Sequence, residues 1–139
     1  MIDFSHKLVA ILNKELPSGV ALNALAHMTI GLGAQFNKEI LRLNDYVDAT
    51  GNTYPNISQM PFIILRGKSN EIRKVLVSAH EKNISQGAFV HTMTGGTYLE
   101  QLANTAQTSE EQLTYYGCVL FGPTAELSAL TKKFSLWKD

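Results

Sequence analysis

His27 is the side chain in this sequence best suited to acid–base chemistry, because an imidazole titrates near neutrality and can both take and return a proton. It lies on a stretch whose apolar residues recur at helical spacing, about two turns beyond Ser18-Gly19 and one turn beyond Asn23. The free amides at a helix start, together with the helix dipole, attract phosphate or carboxylate groups. Ser18, Gly19 and Asn23 are therefore a candidate anion site. A second polar cluster, Thr92, Thr94, Gly95 and Thr97, follows an apolar run and offers hydroxyls to orient an imidazole, a water or a ligand. A structural reading stands beside these: Ser18 caps the helix, Gly19 makes its turn, and His27 borders the packed face on the stripe of Val20, Ala24 and Gly31. His91 falls at a strand end, where ligands of α/β sheets often bind, and a polar loop position explains it equally well.

His6 and His80 stand alone and read as surface residues. No two histidines share the i, i+4 spacing that places both on one metal, so no metal site and no cofactor is predicted. Cys118 lies in an apolar run and reads as an inert core thiol.

Four apolar runs and four helical patterns must position these groups. Lys7 to Leu12 is almost continuously apolar, as suits a strand covered on both faces. Leu16-Pro17-Ser18-Gly19 punctuates the chain, and Ala21, Leu25, Met28 and Leu32 then share a helical stripe. Gly31 and Gly33 each cost about 1 kcal/mol relative to alanine inside a helix, so that helix should stop or pack tightly there. Residues 43–60 are polar and turn-rich and are assigned no element. Pro61 to Leu65 restores a strand pattern, and Ser69 is placed to cap a helix carrying Ile72, Val75, Leu76 and Ala79. Gly87 to His91 reads as a third strand, Tyr98 to Ala106 as a short helix, and Gly117 to Phe121 as a fourth strand. Gly122-Pro123 then turns the chain into a helix with Leu127, Leu130 and Phe134. Alternating strands and helices imply crossovers, which predict one α/β domain: a three-layer α/β/α sandwich around a mixed, mostly parallel sheet of about four strands.

Composition agrees with one domain, at 139 residues with 45% apolar and 17% charged. Twelve basic residues balance twelve acidic ones, which disfavours a general polyanion partner such as tRNA. The charge is nonetheless uneven. Arg66, Lys68, Arg73, Lys74 and Lys82 crowd one segment against Glu71 and Glu81, whereas residues 83–131 hold Glu100, Glu110, Glu111 and Glu126 and no lysine or arginine. Solvated helix faces account for most such asymmetry. Met1 to Lys7 lacks the basic start and apolar run of a signal peptide, and no apolar run approaches the ~18 residues that span a bilayer. With one unpaired cysteine, these features predict a cytoplasmic protein without a membrane segment.

The run Cys118 to Leu127, followed by Leu130 and Phe134-Ser135-Leu136-Trp137, resembles the final strand, Gly-Pro turn, helix and short closing strand of the second type of peptidyl-tRNA hydrolase. The strand from Lys7, the Gly19 turn and His27 are similar to that family's first unit, and Thr94-Gly95-Gly96-Thr97 resembles its Ala-Gly-Arg-Thr segment. The resemblance covers about two-thirds of the chain, leaving out residues 34–60 and 98–114, and implies that fold, with His27 in the place of the catalytic histidine. The chain departs from the pattern at Val20, where the family has its catalytic lysine, and at Met93, where it has its functional aspartate. Ala24 matches the family's helix glutamine, with Asn23 beside it to supply an amide. Asn23-Ala24-Leu25-Ala26-His27 with a late Gly-Pro turn also looks like an uncharacterised bacterial domain-of-unknown-function family of the same fold, the nearer resemblance.

Two functional readings follow. One is a domain that binds a small anionic or nucleotide-like ligand at the strand-end cleft around Ser18, Gly19, Asn23, His27 and the threonine cluster. The other is an ester or amide hydrolase with His27 as general base. By analogy the resemblance also implies an antiparallel homodimer.

Overall fold

Strand β1 (His6–Asn13) sends Leu8, Ala10 and Leu12 into one core and Val9 and Ile11 into a second, so it is buried on both faces. The computed structural model describes residues 5–138; Met1 to Phe4, most of the segment read above for targeting, lie outside the described residues. β1 pairs in parallel with β4 (Phe62–Gly67) and antiparallel with β6 (Tyr115–Pro123). β5 (Ser85–Val90) adds outside β6 and β7 (Ser135–Leu136) outside β4, both antiparallel, giving the order β5-β6-β1-β4-β7. Helix α1 (Ser18–Gly33) covers one face with Ala21, Ala24, Met28 and Leu32. Helices α2 (Ser69–Glu81) and α4 (Thr124–Thr131) cover the other through Ile72, Val75, Ala79 and Leu127. Burying each of the larger aliphatic side chains contributes about 1.5–3 kcal/mol. Among the described residues no helix is long and apolar enough to cross a membrane.

The four expected strands exist and are neighbours, but the sheet is not mostly parallel. β1 and β4 form its one parallel pair, against three antiparallel pairs. Alternation of strands and helices was an unsafe guide, because α3 (Tyr98–Ala106), between β5 and β6, covers no sheet face and has no buried residue. Its two flanking strands pair directly with each other. Ser69 does not cap α2. Lys68 holds the cap position, its N–H bonded to the Glu71 carboxylate at 2.9 Å, while the Ser69 hydroxyl accepts the Tyr115 N–H at 2.8 Å and ties α2 to β6. Likewise Pro17 caps α1, and its carbonyl accepts from Val20 and Ala21, leaving Ser18 as the first helical residue. Gly122 and Pro123 belong to β6, opposite Lys7 and His6, and α4 begins at Thr124 without an intervening turn.

Residues 43–60 hold a hairpin that the sequence reading left unassigned. β2 (Leu43–Val47) and β3 (Thr53–Ser58) pair antiparallel in a separate two-stranded sheet. Asp48 organises its turn, accepting from the Thr50 and Asn52 N–H groups at 2.9 Å and from the Tyr54 hydroxyl at 2.8 Å. Gly51, at φ +95°, supplies the left-handed backbone the turn requires. The Tyr54 hydroxyl chiefly holds the Asp48 carboxyl down at about 2, against an ordinary 3.8.

Two predictions follow from these contacts. The depressed Asp48 carboxyl favours the closed turn above its unfolded value, and that contribution disappears as pH falls through about 4 towards 2. The protection of the Thr50 and Asn52 amides, measured against their intrinsic exchange rates, should fall over that window in the wild type and show no such step in Asp48→Asn. Gly117 lies where α1 crosses β6: a Cβ there would meet the Ile11 carbonyl oxygen at 3.0 Å and the Met28 methyl at 2.9 Å. Urea denaturation of Gly117→Ala should show a loss of about 1–3 kcal/mol, the usual range for an overpacked core.

Candidate functional site

Asn23 and His27 are one helical turn apart on the exposed margin of α1, beside its buried stripe rather than within it. The His27 ring lies 5.6 Å from the ring of Phe89 on β5, and Phe89 in turn lies 6.0 Å from Tyr116. Opposite them stands α3, bringing Tyr98, Gln101 and Leu102. Together with Met93 and Thr94 these groups enclose a cleft of about 520 Å³. No acidic side chain, lysine or arginine lines it. His27 has no hydrogen-bond partner among the described residues, and its ring packs against that of Phe89.

The structure brings Asn23, His27 and Thr94 to this cleft and leaves the other predicted residues outside its lining. Ser18 and Gly19 are exposed at the start of α1, with open space around the Gly19 Cα. The threonine cluster serves mainly to mount α3. Buried Thr92 sits in a single 3-10 turn (His91–Met93), its hydroxyl 2.7 Å from that of Thr105. Gly95, at φ +74°, offers its carbonyl to the Gln101 amide at 2.9 Å. Thr97 caps α3, accepting the Glu100 N–H at 3.2 Å. Thr94 donates to the His91 carbonyl at 3.1 Å. His91 itself accepts the Thr114 N–H at Nδ1, 2.9 Å away, and thereby fastens the end of β5 to the chain before β6.

Tyr98, Gln101 and Leu102 line the cleft and were not singled out by the sequence reading. Leu99, Leu102 and Ala106 looked like the core stripe of a short helix, yet Tyr98, Leu99 and Leu102 are 71%, 76% and 50% exposed. Periodicity identifies an apolar face but not what it faces. Cys118 is fully buried, and burial pushes its thiol up to about 12, in keeping with an inert core residue. Among the described residues no cluster of three or more histidine, cysteine or acidic side chains could hold a metal.

The architecture and site define a small α/β domain with a mixed five-stranded sheet and a cleft, free of acidic, lysine and arginine side chains, beside its terminal strand. The chain belongs to the family described as protein of unknown function (DUF2000), whose sequence model matches residues 6–138. The fold is similar to that of a solved protein of unknown function from Agrobacterium tumefaciens strain C58, 23% identical, with a TM-score of 0.84 over 98% of this chain and 100% of the other. No curated protein matches this chain.

Because α3 buries no side chain, the Thr92–Thr105 hydrogen bond should govern how firmly it closes the cleft. Thr105→Val should speed amide exchange throughout Tyr98–Ala106 and leave exchange in β1 and β6 unchanged. Unaltered exchange in α3 would show that the bond does not hold the helix.

Proposed function

We propose that this chain is a ligand-binding domain, and that the cleft between α1, Phe89 and α3 accepts a flat, uncharged, hydrogen-bonding group such as a nucleobase or an amide presents. The observation that carries this reading is the pairing of an unpartnered imidazole and a neighbouring amide, His27 and Asn23, with aromatic and aliphatic walls free of charge. Phe89 and Tyr98 supply apolar surface for a ring or a planar amide, and the polar edges of Asn23, His27 and Gln101 supply donors and acceptors. The uncharged lining favours the base-like half of the sequence expectation over the anionic half.

The finer resemblance to the second type of peptidyl-tRNA hydrolase belongs to this proposal. It rests on the Gly19–His27 unit and on the final strand and helix, and the inferred loss of that family's reaction has a chemical basis. Acyl transfer benefits from a cation or donor near the developing oxyanion and from a carboxylate that steadies the imidazolium. Val20 and Met93 occupy the corresponding positions, and the Thr94 hydroxyl is already engaged with the His91 carbonyl.

The hydrolase reading keeps one supporting observation, an exposed imidazole beside a hydroxyl-bearing loop. Cleavage of peptidyl-tRNA and of p-nitrophenyl acetate by wild type and His27→Ala separates the two. Equal background rates are expected, and a rate that depends on His27 would replace binding with catalysis. Titration with adenosine and with N-acetylglutamine methylamide should shift the ring protons of His27 and the side-chain amide of Asn23. If neither compound moves them, the cleft is not a binding site.

A further inference from the structure

The His27 cleft has a counterpart on the other face of β5. A cavity of about 540 Å³ opens between α2, β5 and the chain before β6, with apolar walls from Leu76, Val77 and Leu113. Successive side chains of β5 alternate between the two openings. Gln86, Ala88 and Val90 line the α2-side cavity, and Phe89 lines the His27 cleft. Met93 borders both.

Between the openings runs the outer edge of β5. This strand ends the sheet, and among the described residues no backbone group of Ser85 to Phe89 bonds to any element other than β6. Natural edges are usually blunted by lysine, proline, a bulge or brevity. The opposite edge follows that rule, since β7 has two residues. β5 departs from it, with no charge or proline and a register irregularity only at Phe89/Val90.

The two linings narrow the occupant. Leu76, Val77 and Leu113 make one opening apolar, and Asn23, His27 and Gln101 give the other polar edges. Arg73, at the rim of the first, is held by Glu110 through two hydrogen bonds and lies 3.8 Å from Glu111. A second copy of this chain fits poorly, because two-fold pairing of β5 with itself would offer Gln86, Gly87 and Ala88 to openings far larger than those side chains.

We propose that β5 is a docking edge for an extended peptide segment of alternating apolar and amide side chains, which adds to the sheet as a sixth strand and sends those side chains alternately into the two openings. Main-chain hydrogen bonds along the edge provide affinity, and the openings select side chains at every second position. The inference rests on the reading of the His27 cleft as a binding site, and identifies its flat hydrogen-bonding group as a side chain of the docked segment. Apolar side chains then occupy the α2-side cavity.

The probe is a fluorescein-labelled heptapeptide, Lys-Leu-Gln-Leu-Gln-Leu-Lys, whose leucines and glutamines fall on opposite faces when extended. Anisotropy should report saturable binding, with amide exchange slowed at Gln86 to Ala88 and the His27 ring protons shifted. N-methylation of alternate peptide amides on the pairing edge should weaken binding roughly tenfold or more, since each lost backbone bond leaves an unpaired group. No binding, or indifference to N-methylation, would overturn the proposal. A free protein that sediments as a dimer with β5 amides already protected would also overturn it, assigning the edge to a second copy. The two readings fail separately: adenosine shifts at His27 without peptide protection at β5 retain the cleft and discard the edge. Peptide protection at β5 without any His27 shift retains the edge and discards the cleft.

Discussion

A strand with neighbours on both edges and helices over both faces has no side that water can reach, so every group of β1 must find its partner inside the protein. From Leu8 to Asn13 the strand is buried throughout, and its alternation divides the interior into two cores rather than one. The α1 core takes Leu8, Ala10 and Leu12; the α2–α4 core takes Val9 and Ile11. Where the apolar run ends, buried Asn13 completes the polar account: its amide donates to the Tyr115 carbonyl at 3.0 Å and its oxygen accepts the Glu15 N–H at 2.9 Å. A buried side-chain amide left without these partners would cost about 1–3 kcal/mol. The turn into α1, and with it the placement of Asn23 and His27, thus starts from a fixed point.

Distance from β1 sets the rest of the molecule in order of dependence. β4 and β6 pair with it directly, β5 and β7 only through them, and α3 touches neither core with a buried side chain. Polar bonds therefore replace packing as the means of holding α3: Thr92 to Thr105, Gln101 to the Gly95 carbonyl, and the Thr97 cap. Such contacts are individually worth about 0.5–1.5 kcal/mol, small beside the burial that fixes β1. One wall of the cleft is consequently rigid and the other is lightly attached.

How much of this could be read in the sequence follows the same gradient. Lys7 to Leu12 and Gly117 to Phe121 were legible because a strand buried on both faces has no alternative to continuous apolar residues. The α1 stripe was legible because Ala21, Met28 and Leu32 meet a core. The β2–β3 hairpin was not, since its strands are largely exposed and its order comes from Asp48 bonding to its own turn, which resembles loop composition. Strand direction was also hidden: nothing in the residues of α3 states that it stands aside from the sheet. At the site, His27 and Asn23 could be singled out by type and spacing. Tyr98, Gln101 and Leu102 could not, because they join the cleft only through the arrangement of a helix that the cores do not position.

A charged side chain at position 93 would have to be hydrated or paired, and would bring its own requirement for water to the cleft. Met93 instead borders both the His27 cleft and the α2-side cavity at 38% exposure, with a flexible, polarisable side chain suited to irregular apolar contacts. Charge is displaced to the rim, where Arg73 and Glu110 bind each other. The cleft thus presents a few polar edges on largely apolar walls, beside a strand end that holds them in register.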